Sequence, residues 1–235
     1  MKKISPNAEK IRETWLLRGR LTKGILVFAA VLIILFMTWL VFIYTKSTTD
    51  QKIFNAIAPH ITFGRTQFML FITHLGNHQF LVPANLVLLA YFLYSGRNWM
   101  AIRLTVVMFG GLAIKLIFKA FFQRLRPLDP VIEGGVPGYS FPSGHALMAV
   151  VFYGFLIWWA AITIRNKWVQ GIVISLLLLL ILLISFTRIY LRVHYMTDIM
   201  TGLCLGFTWL IFSFWRVEKI EMKYISNKKA VKPAR

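Results

Sequence analysis

Cysteine and acidic residues are scarce in this chain, and both shortages narrow its possible functions. A single cysteine, Cys204, lies inside an apolar run, so an intramolecular disulfide and a cysteine metal cluster are excluded. Only 8 Asp and Glu residues stand against 27 Lys and Arg, and charged residues together make up 15% of the 235 residues. Hydrophobic residues make up 58%, which is typical of a polytopic membrane protein and excludes an ordinary soluble domain.

The net charge of +19 does not require a nucleic-acid partner. Most of the basic residues lie in the two tails and in short connections between apolar runs, where membrane orientation explains them. We expect an all-α bundle of six transmembrane helices, with spans at about residues 24–44, 79–94, 100–118, 143–164, 169–187 and 194–215. The first run is too long for a signal peptide and is therefore assigned as a membrane helix.

Charge asymmetry predicts the orientation of this bundle. The positive-inside rule places the basic N-terminal tail, residues 1–23, and the basic C-terminal tail, residues 216–235, in the cytoplasm. The membrane domain is then residues 24–215. The ends of the third and fifth spans and the starts of the fourth and sixth meet at the outer face, which brings together the candidate site residues Lys119, Arg126, Ser143, His145, Arg188, His194 and Asp198.

The segment GYSFPSGHAL, residues 138–147, predicts an anion site at the start of the fourth span. Pro142 suits the first turn of a helix, Ser143 is a good N-cap, and Gly144 permits another group to approach the backbone closely. Free N–H groups at a helix start attract anions, and His145 places a titratable ring beside them. The alternative is an ordinary capped membrane helix with an interfacial histidine.

A second histidine has a carboxylate at helical spacing. His194 and Asp198 are four residues apart, so on a helix they share a face, and the carboxylate can hold the proton of one ring nitrogen while the other stays unprotonated and nucleophilic. The pair alone is equally compatible with a structural hydrogen bond or with half of a metal site. Arg188 and the basic segment 119–126 would repel a cation and attract an anion, which disfavours the metal.

Other polar residues in or near the spans are assigned different roles. An intramembrane lysine must snorkel, pair or function, and we interpret Lys115, one turn before Lys119, as a snorkelling or structural residue. The loop of residues 120–141 is long for a compact bundle, and long ordered loops are often functional. Three histidines have no acidic partner at a suitable spacing and are interpreted as loop or interfacial residues: His60, His74 and His78.

Three segments together resemble the type 2 phosphatidic acid phosphatase superfamily of membrane lipid phosphate phosphatases. They are KAFFQRLRP (119–127), PSGH (142–145) and TRIYLRVHYMTD (187–198), which match Lys-x6-Arg-Pro, Pro-Ser-Gly-His and Ser-Arg-x5-His-x3-Asp in order and in internal spacing. The resemblance covers about residues 24–215, and the short connections are similar to those of bacterial members. Thr187 replaces the usual serine but keeps its hydroxyl, whereas relatives often carry glycine and proline at the positions of Arg192 and Met196.

The resemblance implies a metal-independent phosphatase that needs no cofactor and lies in the bacterial inner (cytoplasmic) membrane. His194 would be the nucleophile that forms a phosphohistidine, Asp198 would orient it, and His145 would act first as general acid and then as base. The phosphate oxygens would be held by Lys119, Arg126, Ser143, Gly144 and Arg188.

The expected substrate is a phosphate monoester or diphosphate of a membrane lipid, with undecaprenyl diphosphate, phosphatidylglycerol phosphate, phosphatidic acid and a lipid A phosphate as candidates. Arg124 and Arg192 are additional candidate headgroup contacts and favour a lipid diphosphate. A lipid phosphotransferase on the same scaffold is the alternative enzyme. An anion transporter is disfavoured because the spans show no clear inverted repeat and the charges gather at one face. No obligate protein partner is inferred.

Overall fold

The computed structural model describes residues 48–132 and 136–231, together with residues 28, 31, 32, 35, 36 and 39. The predicted N-terminal tail lies outside the described residues, and so does most of the first predicted span. All regular elements in the described part are helices, which confirms the predicted all-α class.

The described residues from 48 onward form seven α-helices, and a 3₁₀ turn, Ala58–His60, joins the first two. The described residues between 28 and 39 are helical as well. The seven helices are α1 Thr48–Ile57, α2 Phe63–His74, α3 His78–Tyr94, α4 Asn98–Phe122, α5 Gly144–Thr163, α6 Lys167–Tyr190 and α7 Met196–Val231. Four of them, α4 to α7, are long and apolar enough to cross a membrane. With 17 residues, α3 comes close to the roughly 20 residues that a spanning helix needs.

The predicted second to sixth spans coincide with α3 to α7, and the largest difference is at the end of the last one. Helix α7 continues to Val231 instead of ending near Trp215, because the sequence contains no glycine or proline from there to Pro233. The guanidinium of Arg103 on α4 lies 2.5 Å from the Glu221 carboxylate and ties this extension to the bundle. Most of the predicted C-terminal tail is therefore part of the last helix.

The central helix is α5, and α4, α6 and α7 all pack against it. Its sequence is apolar on every face, a pattern typical of a buried helix. Its buried residues are Ala146, Leu147, Ala149, Val150, Val151, Phe152, Tyr153, Gly154, Phe155 and Ala160. Large apolar side chains on α4 and α6 are exposed instead, as lipid-facing positions should be, among them Phe109, Leu176 and Leu182.

Helices α5 and α7 approach each other closely at their N-terminal ends. A Cβ atom added to Gly202 would lie 2.7 Å from the Ser143 carbonyl oxygen, and one added to Gly206 would lie 2.8 Å from the Leu147 carbonyl oxygen. Glycines four residues apart thus let two backbones touch, as in other membrane bundles. The Ser143 N–H also donates to the Asp198 carbonyl oxygen at 2.9 Å. The two segments with the PSGH and His-x3-Asp patterns are therefore joined directly.

Candidate active site

The three sequence signatures meet at one end of a cavity of about 860 Å³. The polar end of this cavity is lined by Lys115, Lys119, Arg126, Gly144, His145, Arg188 and His194. These residues come from α4, the loop after α4, α5, α6 and the α6–α7 connection. The structure thus brings together most of the predicted site residues, although four of them do not line the cavity: Ser143, Asp198, Arg124 and Arg192.

His194 lies between α6 and α7, with 2% of its surface exposed. The last helix begins only at Met196, so the expectation that His194 and Asp198 share a helix face is wrong. The pair forms across the start of the helix instead, where His194 Nδ1 lies 3.4 Å from Asp198 Oδ2. At this distance the two atoms are in contact, but they do not make a well-formed hydrogen bond.

The other ring nitrogen of His194 faces the cavity and a guanidinium. Arg126 Nη1 lies 3.3 Å from His194 Nε2. Because a guanidinium can only donate, Nε2 must be the accepting, unprotonated nitrogen, and the proton of the neutral ring is assigned to Nδ1 on the Asp198 side. This tautomer leaves a lone pair on Nε2 directed toward the polar end of the cavity.

Asp198 is fully buried and accepts hydrogen bonds from two donors, in addition to its contact with His194. It is the third residue of α7, and its Oδ2 reaches back to accept from the Tyr195 backbone N–H at 2.9 Å, the carboxylate half of a capping box. Its Oδ1 accepts from Arg124 Nη1 at 2.7 Å. The carboxylate that faces His194 is therefore fixed in position from both sides.

Arg124 is committed to this carboxylate and not to the cavity, contrary to its predicted role as a headgroup contact. It also donates to Thr197 Oγ1 at 2.7 Å, and its guanidinium lies 4.1 Å from the centre of the Tyr195 ring. On its far side stands the buried Asp50 of α1, whose carboxylate lies 3.7 Å from Arg124 Nη2 and accepts from the Met196 N–H at 3.3 Å. No spacing in the sequence relates Asp50 to these residues.

Arg192 also points away from the cavity, so the structure gives the second predicted headgroup contact another role. Its Nη2 donates to the Phe54 carbonyl oxygen of α1 at 3.3 Å. Its backbone has φ +52°, in the left-handed region that favours glycine. This conformation is the physical reason why glycine suits this position.

For the phosphatase activity that the sequence motifs imply, we expect Arg124→Met to lower kcat/KM by about 10–100-fold, the usual size for the loss of a supporting partner. The variant removes a bond that orients Asp198 and leaves two buried carboxylates without their cation. Since Arg124 does not line the cavity, the loss should be equal for lipid monophosphates and lipid diphosphates. Arg192→Gly is the matched control, and its kcat/KM should stay within about twofold. A selective loss on diphosphates would contradict this role for Arg124.

Three cations surround the open side of His194. Arg188 is 3% exposed and donates to Thr73 Oγ1 at 2.7 Å, Lys119 donates to the Tyr139 carbonyl oxygen, and Arg126 donates to the Gly138 and Val193 carbonyl oxygens. Within the described part of the chain, none of the three forms an ion pair with a carboxylate. Their positive charge is therefore available for an anion.

The loop that carries Arg126 is held in shape by Ser140, which no sequence pattern singled out. Ser140 is fully buried, and its N–H and hydroxyl both donate to the Arg124 carbonyl oxygen, at 2.7 and 3.1 Å. These bonds hold Ser140 against the backbone of Arg124. Arg126 is thereby directed at His194 while Arg124 faces the opposite side.

His145, the second residue of α5, lines the same cavity. A Cβ added to Gly76 would lie 3.2 Å from His145 Cδ2, so the turn between α2 and α3 covers the ring. Ser143 is the N-cap of α5, and its hydroxyl accepts from the Ala146 N–H at 3.5 Å. Because Ser143 is fully buried and lies outside the cavity, the structure does not support its predicted role as a phosphate ligand.

The three remaining histidines have different surroundings. The carbonyl oxygen of His60 accepts from the Tyr190 hydroxyl at 3.3 Å, so this residue has a structural role in a loop, and His74 is exposed. His78 lies at the start of α3 and lines the cavity, which the sequence did not indicate.

The His194 ring should remain neutral well into the acid range. Burial lowers the pKa of His194 to about 4, although the neighbouring Asp198 opposes this shift. Protonation should occur only as the pH falls through about 4, whereas an ordinary histidine titrates near 6.5. Nitrogen-15 NMR of protein labelled at its five histidines can follow this titration, and the signal that is missing from His194→Asn identifies His194. A midpoint between 6 and 7 would contradict the buried, neutral state.

A family model described as the PAP2 superfamily matches residues 100–221, just over half of the chain. The chain belongs to the PAP2 superfamily. The matched segment of this PAP2 protein contains all the residues at the polar end of the cavity.

Named relatives of this PAP2 protein are lipid phosphatases. Phosphatidylglycerophosphatase B of Bacillus subtilis (strain 168) is 28% identical over 145 residues, which cover 60% of this chain and 69% of the relative. An undecaprenyl-diphosphatase of Sulfolobus acidocaldarius is 27% identical over 162 residues, which cover 64% of this chain and 69% of the relative.

Two solved structures share the fold of this PAP2 protein. A transmembrane PAP2-type phosphatidylglycerolphosphate phosphatase from Bacillus subtilis has a TM-score of 0.71 at 24% identity, covering 81% of this chain and 96% of that structure. Aquifex aeolicus LpxE has a TM-score of 0.57 at 23% identity, covering 72% of this chain and 96% of that structure. At these identities the likeness supports the helical fold and not a particular substrate.

Proposed function

We propose that this protein is an integral-membrane lipid phosphatase that hydrolyses a phosphate monoester or diphosphate of a membrane lipid through a phosphohistidine intermediate. The observation that carries the proposal is the composition of the cavity. Its polar end holds His145, His194 and the unpaired cations, and most of the rest is an apolar groove between α3 and α4, with Asn85 and Thr105 as polar residues along it. The groove is lined by Leu81, Val82, Leu86, Leu89, Leu104, Met108, Phe109 and Leu112.

The length of this groove suits a lipid tail. Lys119 and Leu104 lie about 22 Å apart along α4, at a helical rise of about 1.5 Å per residue, and both line the cavity. The hydrocarbon core of a bilayer is about 30 Å thick, so the groove reaches beyond the middle of the membrane. A water-soluble phosphate ester has no apolar group that would fill this groove.

In the first half of the proposed reaction, His194 Nε2 attacks phosphorus and the bond from phosphorus to the leaving oxygen breaks. His145 donates a proton to that oxygen. The charge on the three other phosphate oxygens is stabilised by Lys119, Arg126 and Arg188 together with the free N–H groups at the start of α5. Asp198 stabilises the imidazolium that forms when Nε2 becomes bonded to phosphorus.

In the second half, His145 accepts a proton from water, and the resulting nucleophile attacks the phosphohistidine. The phosphorus–nitrogen bond breaks, its electron pair returns to His194 Nε2, and inorganic phosphate leaves. Each proton and bond is accounted for by His194, His145 and water, so the proposed cycle needs no metal and no cofactor.

We also propose that the site opens at the outer face of the bacterial inner membrane, with both termini in the cytoplasm. Basic residues cluster at the opposite end of the bundle, where α4 begins and where α5 connects to α6. They are Arg97, Arg103, Arg165 and Lys167. The positive-inside rule supports a cytoplasmic location for that end.

Phosphate release by the purified protein in detergent tests the proposal. The substrates are phosphatidic acid, phosphatidylglycerol phosphate, undecaprenyl diphosphate and a lipid A phosphate, each with and without a chelator. Glycerol 3-phosphate is the matched substrate without tails. We expect chelator-resistant release, with kcat/KM for the best lipid at least about 100-fold above glycerol 3-phosphate, because the groove binds the tail. Release from none of the lipids would overturn the proposal, and product that appears only with an added alcohol acceptor would indicate a phosphotransferase.

A further inference from the structure

The end of α2 and the turn that follows it, residues 73–76, close one side of the polar end of the cavity. Thr73 and Gly76 are both buried, and both line the cavity. This segment lies outside the matched residues 100–221 and outside all three sequence signatures. No motif therefore assigns these residues a role in the site.

Arg188 is held by a single side chain of this segment. Its Nη1 donates to Thr73 Oγ1 at 2.7 Å, and both residues are buried. Within residues 48–132 and 136–231, the Arg188 guanidinium has no other hydrogen-bond acceptor, and its Nε is buried without a partner. Because a guanidinium is planar and rigid, this one bond restrains the direction of Nη2 as well.

The other two cations around His194 are held differently. Lys119 donates to the Tyr139 carbonyl oxygen, and Arg126 donates to the Val193 carbonyl oxygen at 2.8 Å. Backbone carbonyls hold both of these cations, whatever side chains the accepting residues carry. Arg188 is thus the cation whose direction depends on the chemistry of one side chain.

The hydroxyl of Thr73 is itself kept in place, because the turn after it is fixed to two other helices. The Tyr153 hydroxyl of α5 donates to the Leu75 carbonyl oxygen at 2.8 Å. A Cβ atom added to Gly76 would lie 2.5 Å from Ile184 Cγ2 of α6, so the backbone of the turn lies directly against that helix. Contacts on both sides leave little room for the turn to move.

We propose that Thr73 is a positioning residue, which aligns the Arg188 guanidinium with the phosphate of the substrate. The proposal rests on the phosphatase function proposed above. Thr73 Oγ1 accepts from Nη1, and Nη2 has no hydrogen-bond partner within the described residues, so its two N–H groups are free for phosphate oxygens. Donors that are already aligned stabilise the charge of the transition state without having to reorganise. Loss of the alignment should therefore lower kcat more than it raises KM.

The test is Thr73→Val, which removes the hydroxyl and keeps a branched side chain of nearly the same size. We expect kcat on lipid phosphates to fall at least about tenfold, with KM within about threefold of the wild type, because a small misplacement of a binding group is costly. Thr73→Ser keeps the hydroxyl, and its kcat should stay within about threefold of the wild type. The matched control is Thr163→Val at the far end of α5, where the exposed Thr163 hydroxyl donates to the Trp159 carbonyl oxygen. This control should leave kcat and KM unchanged.

A double-mutant cycle with Arg188→Met tests whether Thr73 acts through Arg188. In the Arg188→Met background the Thr73 hydroxyl has no guanidinium to align, so adding Thr73→Val should change kcat by less than about twofold. Vanadate, which mimics a phosphate under attack, gives a readout without turnover. Thr73→Val should weaken vanadate binding, measured by calorimetry, at least about tenfold. This effect should also disappear in the Arg188→Met background.

Three results would overturn the role of Thr73. They are a kcat of Thr73→Val within about threefold of the wild type, a loss that Thr73→Ser shares, and a further loss of about tenfold when Thr73→Val is added to Arg188→Met. The last result would mean that Thr73 contacts the substrate itself or only supports the fold. If the wild type hydrolyses no lipid phosphate, the proposed phosphatase function fails, and vanadate binding still decides whether Thr73 aligns Arg188.

Discussion

His194→Ala should lower kcat by at least about 1,000-fold on every lipid substrate, because the group proposed to form the covalent intermediate is lost. That reduction corresponds to about 4 kcal/mol of the activation barrier. The variant should still bind the substrate, since the cations around the phosphate remain. His194→Gln is the companion variant, because it keeps most of the buried volume and a polar side chain but no basic nitrogen. Phosphate release under initial-rate conditions measures the effect.

The same variant also tests the covalent step directly. With a lipid carrying phosphorus-32 at the terminal phosphate, rapid acid-free quenching of the wild type should leave label on the protein, and the label should be absent from His194→Ala. The exposed His74 provides the control, since His74→Ala should keep both the label and the rate. Activity of His194→Ala within about tenfold of the wild type would show that the nucleophile lies elsewhere.

Asp198→Asn should lower kcat by about 100- to 10,000-fold, the effect expected when a catalytic histidine is held in the wrong tautomer. The amide can donate to His194 Nδ1, which places the ring proton on Nε2 and removes the nucleophilic lone pair. The amide is also neutral, so it cannot stabilise the imidazolium. Both the magnitude of kcat and the shape of its pH profile should change, whereas a loss of packing alone would change only the magnitude.

Asp129→Asn is the control for Asp198→Asn. Asp129 is an exposed carboxylate in the loop between α4 and α5. The Asp129→Asn protein should therefore match the wild type in its rate and in the midpoint temperature of unfolding. The Asp198→Asn protein must still elute as a single monodisperse species in size-exclusion chromatography. A loss of activity can then be distinguished from a loss of folding. A folded Asp198→Asn protein with kcat within about threefold of the wild type would contradict the orienting role of Asp198.

The sequence was sufficient to predict the helices because hydropathy reports which side chains lipid accepts, and a segment that crosses lipid must satisfy its backbone hydrogen bonds internally, as a helix does. Long apolar runs separated by short polar connections placed α3 to α7 to within a few residues, except for the end of α7. That end was missed because the chain becomes polar near Trp215 while its helical propensity continues. Hydropathy marks where a helix leaves the membrane and not where it stops.

Only those parts of the site whose residues lie close together in the sequence could be predicted. His194 and Asp198 are close in sequence, and the start of α5 carries its own capping and anion-binding signals. Asp50 and Arg124 join the site through contacts between distant elements, which no spacing reveals. Whether a cation faces a cavity or a carboxylate depends on packing, so the sequence misassigned Arg124.

The close contact between α5 and α7 lies next to both histidines of the candidate site. Gly202 and Gly206 press against the backbone of α5, so the helix that starts beside His194 and the helix that carries His145 form one stiff body. In the proposed reaction His145 and His194 are therefore aligned before any lipid arrives, and binding does not have to supply that ordering. The apolar groove lies on the other side, between α3 and α4. A lipid can then enter by moving that wall while the reacting groups keep their geometry.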